Sequence, residues 1–264
     1  MLTEVRNQFR VTSLSIKYAL MREMLNKASF ISNIVFMILN NASFIIQWLI
    51  IYSLKDSIGG YELRHVLLLW GMAASTYGVS RFFFKNSFNL SELITNGKLD
   101  AYLVQPKNIL ISVITSDIEV SAIGDMIYGY IMLIVYGITL ENFIMFTIFS
   151  ILGGLIIVSI AVIYSSLSFW FIKADMISDT ANSLLTNFAT YPDGIFKNAA
   201  KIILYTIVPV GLSAYLPVKT IIEFDILNFV IVLVAAIVLV TVAFEIFYKG
   251  MKRYSSSNLM ISRI

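Results

Sequence analysis

The sequence has no cysteine, a single histidine and few charges. Without cysteine there is no disulfide framework and no thiolate metal site, although the compartment stays open, because cytosolic loops need no cysteine either. One histidine, His65, and no H-E-x-x-H leave zinc hydrolysis without its ligands, and no G-x-x-x-x-G-K-[ST] loop leaves nucleotide hydrolysis by this chain without its phosphate cradle. The chain is expected not to be an enzyme. Charged residues make up 13%, against roughly 25% in an ordinary soluble domain. A net charge of +3 is too small to suggest nucleic acid as a partner.

What the sequence has instead is apolar length. Hydrophobic residues reach 58% of 264 positions, above the roughly 45 to 50% of soluble proteins. The expected fold class is an all-α integral membrane protein, a single transmembrane domain over 1–264 with no room for a separate soluble domain. The first two spans are read at 31–54 and 66–84, and a third, shorter in apolar character, at 118–140. The fourth, 143–172, carries no charge; at 1.5 Å per residue it measures roughly 45 Å, so it tilts or projects. A fifth region combines a polar half, 176–190, with "YPDGIFKN" and an apolar piece, 202–218, that contains Pro209 and Pro217. One simple helix does not fit it. The sixth span, 226–248, ends in "YKGMKRY", an aromatic and basic anchor.

Orientation follows from the basic residues. With a cytoplasmic N-terminus, 14 of 19 Lys and Arg fall on the cytoplasmic side, among them Arg81, Lys85, Lys98, Lys107, Lys173 and Arg263. The positive-inside rule then puts both termini in the cytoplasm and the protein in the cell membrane as a multi-pass chain. Residues 1–27 lack the compact apolar core of a cleavable signal peptide. Residues 1–28 read instead as an interfacial helix on membrane lipids, with Val5, Phe9, Ile16, Leu20 and Met24 on one stripe, widened by Leu14, Met21 and Leu25. The alternative is a helix packed on another cytoplasmic segment.

Polar residues within the spans separate into structural and functional candidates. Ser165, Ser166 and Ser168 read as helix-packing groups, and Glu245 as a local partner of Lys249. Asp117, Glu119 and Asp125 fall in the first turns of the third span, where they are expected to reach cytoplasmic water; an ion pathway is the other reading. Asn40, Asn41 and Gln47 either line a substrate path or hydrogen-bond between helices.

The order of an amphipathic N-terminal helix, two spans, a loop with "GKLDAYLVQP", then "YPDGIF" followed by "IVPVGLSAYLP" resembles the permease subunits of type 2 ABC (ABC-2) exporters. The resemblance implies a permease that pairs with a second copy or a sister permease and rests on cytoplasmic ABC ATPase subunits. ATP and Mg would be bound there, and this chain would bind no cofactor. It also implies that the cytoplasmic loop, 85–108, holds a coupling helix. Glu92, Leu93, Ile94, Gly97, Lys98, Leu99, Asp100, Leu103 and Pro106 would form it, with the leucines and Ile94 as anchors on the ATPase. Ser91 would cap its first turn, Gly97 allow a left-handed end and Pro106 stop the segment. Residues 191–218 would be an extracellular re-entrant element, broken at Pro192, Gly194, Pro209 and Pro217, with Tyr191 and Phe196 as gate side chains. Other classes stay open: an ion-coupled secondary transporter, or a non-transporting scaffold subunit. The cargo is left unassigned.

Overall fold

The computed structural model describes residues 2–171 and 174–255; Lys173, Arg263 and the end of the fourth expected span at Ile172 lie outside the described residues. The regular structure among the described residues is helical, with one isolated bridge between Ile58 and Tyr61. Helix α1 runs Leu2–Glu23, α2 Lys27–Tyr52 and α3 Leu63–Phe84. Three short helices follow: α4 Leu90–Thr95, α5 Asp100–Leu103 and α6 Ile109–Ile114. Helix α7 is Ser121–Gly137, α8 Leu140–Ser166 and α9 Ala174–Ala189. The chain ends with α10 Asn198–Thr206, α11 Leu216–Ile222 and α12 Ile226–Met251.

Three helices are long and apolar enough to cross a bilayer: α2, α8 with the turn that extends it to Phe169, and α12. Their ends are set locally. Asn26 accepts from the Ser29 amide before α2, Thr139 from Asn142 before α8, and Asp225 from Leu227 before α12, each satisfying a backbone donor that the first turn leaves open. Helix α8 is the central pillar, with 67% of its most apolar window buried, whereas the same measure is 6% in α2. The amphipathic span expected of an outer helix is thus inverted in α8, whose all-round apolar surface is covered by protein.

Helices α3 and α7 meet at glycines. A Cβ on Gly71 would stand 3.0 Å from the Gly129 carbonyl oxygen, and one on Gly78 would stand 2.9 Å from that of Ala122, so only bare backbone allows this approach. Helix α7 is shorter than the expected 118–140. Its N-terminal flank, from Ser116, is drawn out of the helix where Asp117 and Glu119 reach basic partners on other segments. Helix α10 and the arm Gly211–Ile222, in which the π-helical turn Gly211–Tyr215 runs into α11, are bent by 76° at a break, 207–210, that contains Pro209. Proline withholds an amide and crowds the preceding turn, which places the break there.

The stripe expected on the N-terminal helix is divided. Ile16 and Leu20 flank buried Ala19 against Ile118 and Val120, while Val5, Phe9, Leu14, Met21, Met24 and Leu25 are exposed. Gln8 ties the helix to the segment before α6, accepting from the Asn108 amide at 2.9 Å.

Candidate functional site

Four helices leave a chamber of about 420 Å³ between them. It follows α2 from Met37 to Trp48, roughly 16 Å of helix. The antiparallel α3 contributes Trp70, Tyr77 and Arg81, and α7 and its flank contribute Asp125 and Glu119. Helix α9 closes the wall with Thr186 and Asn187 and is tied to α3, where the Tyr77 hydroxyl donates to the Asn182 carbonyl at 3.2 Å.

Asn41 organises one side of this chamber. Its Nδ2 donates to Asp125 Oδ1 at 2.7 Å and to the Met37 carbonyl at 3.1 Å, while its Oδ1 accepts from Trp70 Nε1 at 3.4 Å. Trp70 in turn stacks on Phe44, ring centres 5.1 Å apart. Towards the far end of α2, Trp48 meets Tyr191 edge to face at 5.8 Å. At the opposite end, Arg81 Nη1 pairs with Glu119 Oε2 at 3.1 Å. Asn40, Asn41, Gln47 and Tyr191 therefore come together as lining residues. Pro192 and Pro209 are buried away from it, and Phe196 packs edge-on against Phe188 at 5.4 Å, so its ring is a core contact and not a chamber wall.

The three acids read together in the sequence have different environments. Asp117 sits between Arg22 at 2.5 Å and Lys85 at 2.9 Å. Burial alone would push its carboxyl up, but Lys85 and Arg22 more than reverse this and hold it below the ordinary range. Glu119 is paired with Arg81. Asp125 is 8% exposed, inside α7, because Gly124 lets the α2 backbone close over that turn, and it borders the chamber.

The loop 85–108 requires a further correction. Helix α4 begins at Leu90 with Asn89 at its N-cap, so Ser91 is no cap; its hydroxyl lies inside and meets Ser168 Oγ. Gly97 has φ +68, and the Lys98 amide reaches the Leu93 carbonyl while that of Gly97 reaches Ile94, the left-handed helix end expected there. Ile94 and Leu99, however, are fully buried in the chain's own core beside Leu90, Leu110 and Phe247, and Leu93 packs against the same cluster. Ile94 and Leu99, with no exposed surface, cannot serve as anchors for another protein. The outward residues are Glu92, which bonds Lys98 at 2.9 Å, Asp100, Leu103, Val104 and Pro106. The serines of α8 do pack helices, with Ser165 Oγ 2.9 Å from Ser178 Oγ, and Lys249 lies 3.4 Å from Glu245.

A second polar centre escaped the sequence reading. Asp193, of "YPDGIF", is 2% exposed and receives Tyr61 Oη at 3.0 Å, Tyr205 Oη at 3.2 Å and Lys219 Nζ at 2.5 Å, with Lys201 Nζ at 3.6 Å. Burial raises its carboxyl, but Lys219, Tyr61 and Lys201 outweigh burial and hold it below the usual value. Tyr61 arrives on a tight turn with Gly59 and Gly60 both at positive φ, and Gly194 lies directly on Gly59, where a Cβ would collide with its carbonyl. The usable signal was an acid flanked by Pro and Gly in an otherwise apolar region.

Three apolar helices long enough to span a bilayer, one of which, α2, lines a chamber of amides, aromatics and an acid without a basic partner, define a helical membrane protein. Residues 22–258 match the family described as ABC-2 family transporter protein, and the chain belongs to that family. Most of α1 precedes the matched region. No curated protein and no solved structure matches the chain significantly.

Proposed function

We propose that the chain is the permease subunit of an ATP-driven exporter, forming the translocation path as a dimer with a second copy or a sister permease on separate ATPase subunits. The observation that carries this reading is the chamber itself, a polar and aromatic space bounded by α2, α3, α7 and α9 in a member of a transporter family. In this reading α2, α3, α7, α8, α9 and α12 cross the membrane, and the bent pair α10 and α11 re-enters from outside. Both termini are cytoplasmic, and the exposed apolar residues of α1 rest on membrane lipids. Tyr191 with Trp48 closes the outer end of the path. Asp117 and Glu119 are already engaged by basic side chains, which removes two of the three acids an ion-coupled transporter would need.

Coupling to the ATPase is assigned to the exposed edge of the loop 85–108. Leu103 is 42% and Val104 84% exposed, flanked by Glu92, Lys98 and Asp100. Truncating a central interface anchor typically costs about 2 kcal/mol or more, so Leu103→Asp with Val104→Asp should lower recovery of the co-expressed ATPase at least roughly tenfold. Leu99→Ala is expected to behave differently. It opens a cavity in the permease, costing about 3 kcal/mol of stability, without a specific loss of ATPase per folded permease. Equal ATPase recovery with wild-type and doubly substituted permease would sink the assignment.

A further inference from the structure

We propose that the chamber is a binding site for organic cations and that Asp125 is the charge that selects them. The inference rests on the reading of the chamber as a path, and names its cargo class. Three charged side chains line the space: Arg81, Glu119 and Asp125. Arg81 and Glu119 neutralise each other at 3.1 Å, so the uncompensated charge is a carboxylate. Asp125 and Asp193 are the two charged side chains buried among the described residues. Asp193 has lysine partners; Asp125 is bonded only to the neutral amide of Asn41. A desolvated carboxylate held by one neutral donor is costly, and a cationic ligand supplies the missing counter-charge.

The walls restrict the kind of cation. Trp70 and Phe44 form a stacked face beside Asp125, and Trp70 is kept in place by its bond to the same Asn41. Trp48, Tyr77 and Tyr191 add further rings, and aromatic faces attract cations within about 6 Å of the ring centre. The volume of about 420 Å³ is that of a small-molecule site. A bare metal ion would leave those rings unused and would require several oxygen ligands, whereas an organic anion would meet the carboxylate's repulsion.

The test uses two ions of the same size and shape and opposite sign, tetraphenylphosphonium and tetraphenylborate. Their binding to the permease in lipid nanodiscs is measured after subtracting protein-free discs. Wild-type protein is expected to favour the phosphonium at least about tenfold over the borate, the scale of one hydrogen-bonded or paired charge. Asp125→Asn should abolish the preference and Asp125→Glu should retain it. Equal binding of the two ions by wild type, or a preference that survives Asp125→Asn, overturns the inference. The wild-type comparison stands whatever the variants do on folding. No ATPase takes part in this measurement, so a failed ATPase recovery would remove the exporter reading and leave a cation preference intact, and the converse also holds.

Discussion

Two aspartates of this protein are buried to a similar degree and treated in opposite ways. Asp193 joins three separate segments, the turn carrying Tyr61, helix α10 through Tyr205 and Lys201, and α11 through Lys219. Asp125 joins α7 to α2 through one amide and borders an open chamber. A buried carboxylate whose oxygens are saturated by cations and hydroxyls acts as a clamp, because removing it strands every partner. One left with a single neutral partner stabilises little and keeps its field available to a ligand. Burial alone does not separate the two roles; the count and charge of partners does.

The largest expected effect comes from deleting both acids in parallel. Asp193→Ala leaves Lys219 and two tyrosine hydroxyls without their acceptor, and about 3 kcal/mol of stability should be lost, the low end for a broken buried pair because Lys219 and Lys201 keep access to water. Asp125→Asn should change stability by less than about 1 kcal/mol, since the substitution relieves a desolvated charge and keeps a polar group opposite Asn41. Thermal unfolding of the two variants in nanodiscs measures this. Equal losses would abolish the distinction.

The sequence made the all-helical class, the three long apolar helices and the Gly97 helix end legible, because these depend on local composition and spacing. It also singled out Asn40, Asn41, Gln47 and Tyr191, which the chamber brings together. What it could not show were contacts between distant segments. Asn41 and Asp125 are 84 positions apart, and Tyr61 and Asp193 are 132 apart; no periodicity encodes such pairs. Leu99 and Ile94 misled for a related reason. An apolar residue in a short loop segment serves a partner or its own core equally well, and here α6 and α12 claim it through Leu110 and Phe247. The third span was overextended because apolar Ile118 and Val120 are buried in a loop and not in a helix.

Removing one partner at a time sharpens the contrast. Tyr61→Phe takes one donor from Asp193, which is itself 2% exposed, and should cost about 1.5 kcal/mol, as for a hydrogen bond to a charged group. Asn41→Ala takes the one donor from Asp125, and chamber water can occupy the vacated position, so the loss should stay below about 1 kcal/mol. Denaturant or thermal unfolding decides it, and a larger loss at position 41 than at 61 would reverse the assignment of clamp and site.

The smallest effect is carried by acid. The Asp193 carboxyl titrates below its unfolded value in the folded protein, because Lys219, Tyr61 and Lys201 outweigh its burial. The folded state therefore binds fewer protons than the unfolded chain as pH falls through this range. Its contribution is fully present above the ordinary carboxylate value, about 3.9, and is lost as pH falls through the lower folded value. Asp117, held down by Lys85 and Arg22, adds a loss of the same sign. The stability gap between wild type and Asp193→Ala should consequently be constant above about pH 5 and narrow as the medium is acidified below about pH 4, whereas Asp117 affects both proteins alike and cancels. Unfolding temperatures of the two proteins across that interval give the gap directly. A gap that widens on acidification would mean that Asp193 is stabilised by protonation, and the clamp would have to be withdrawn.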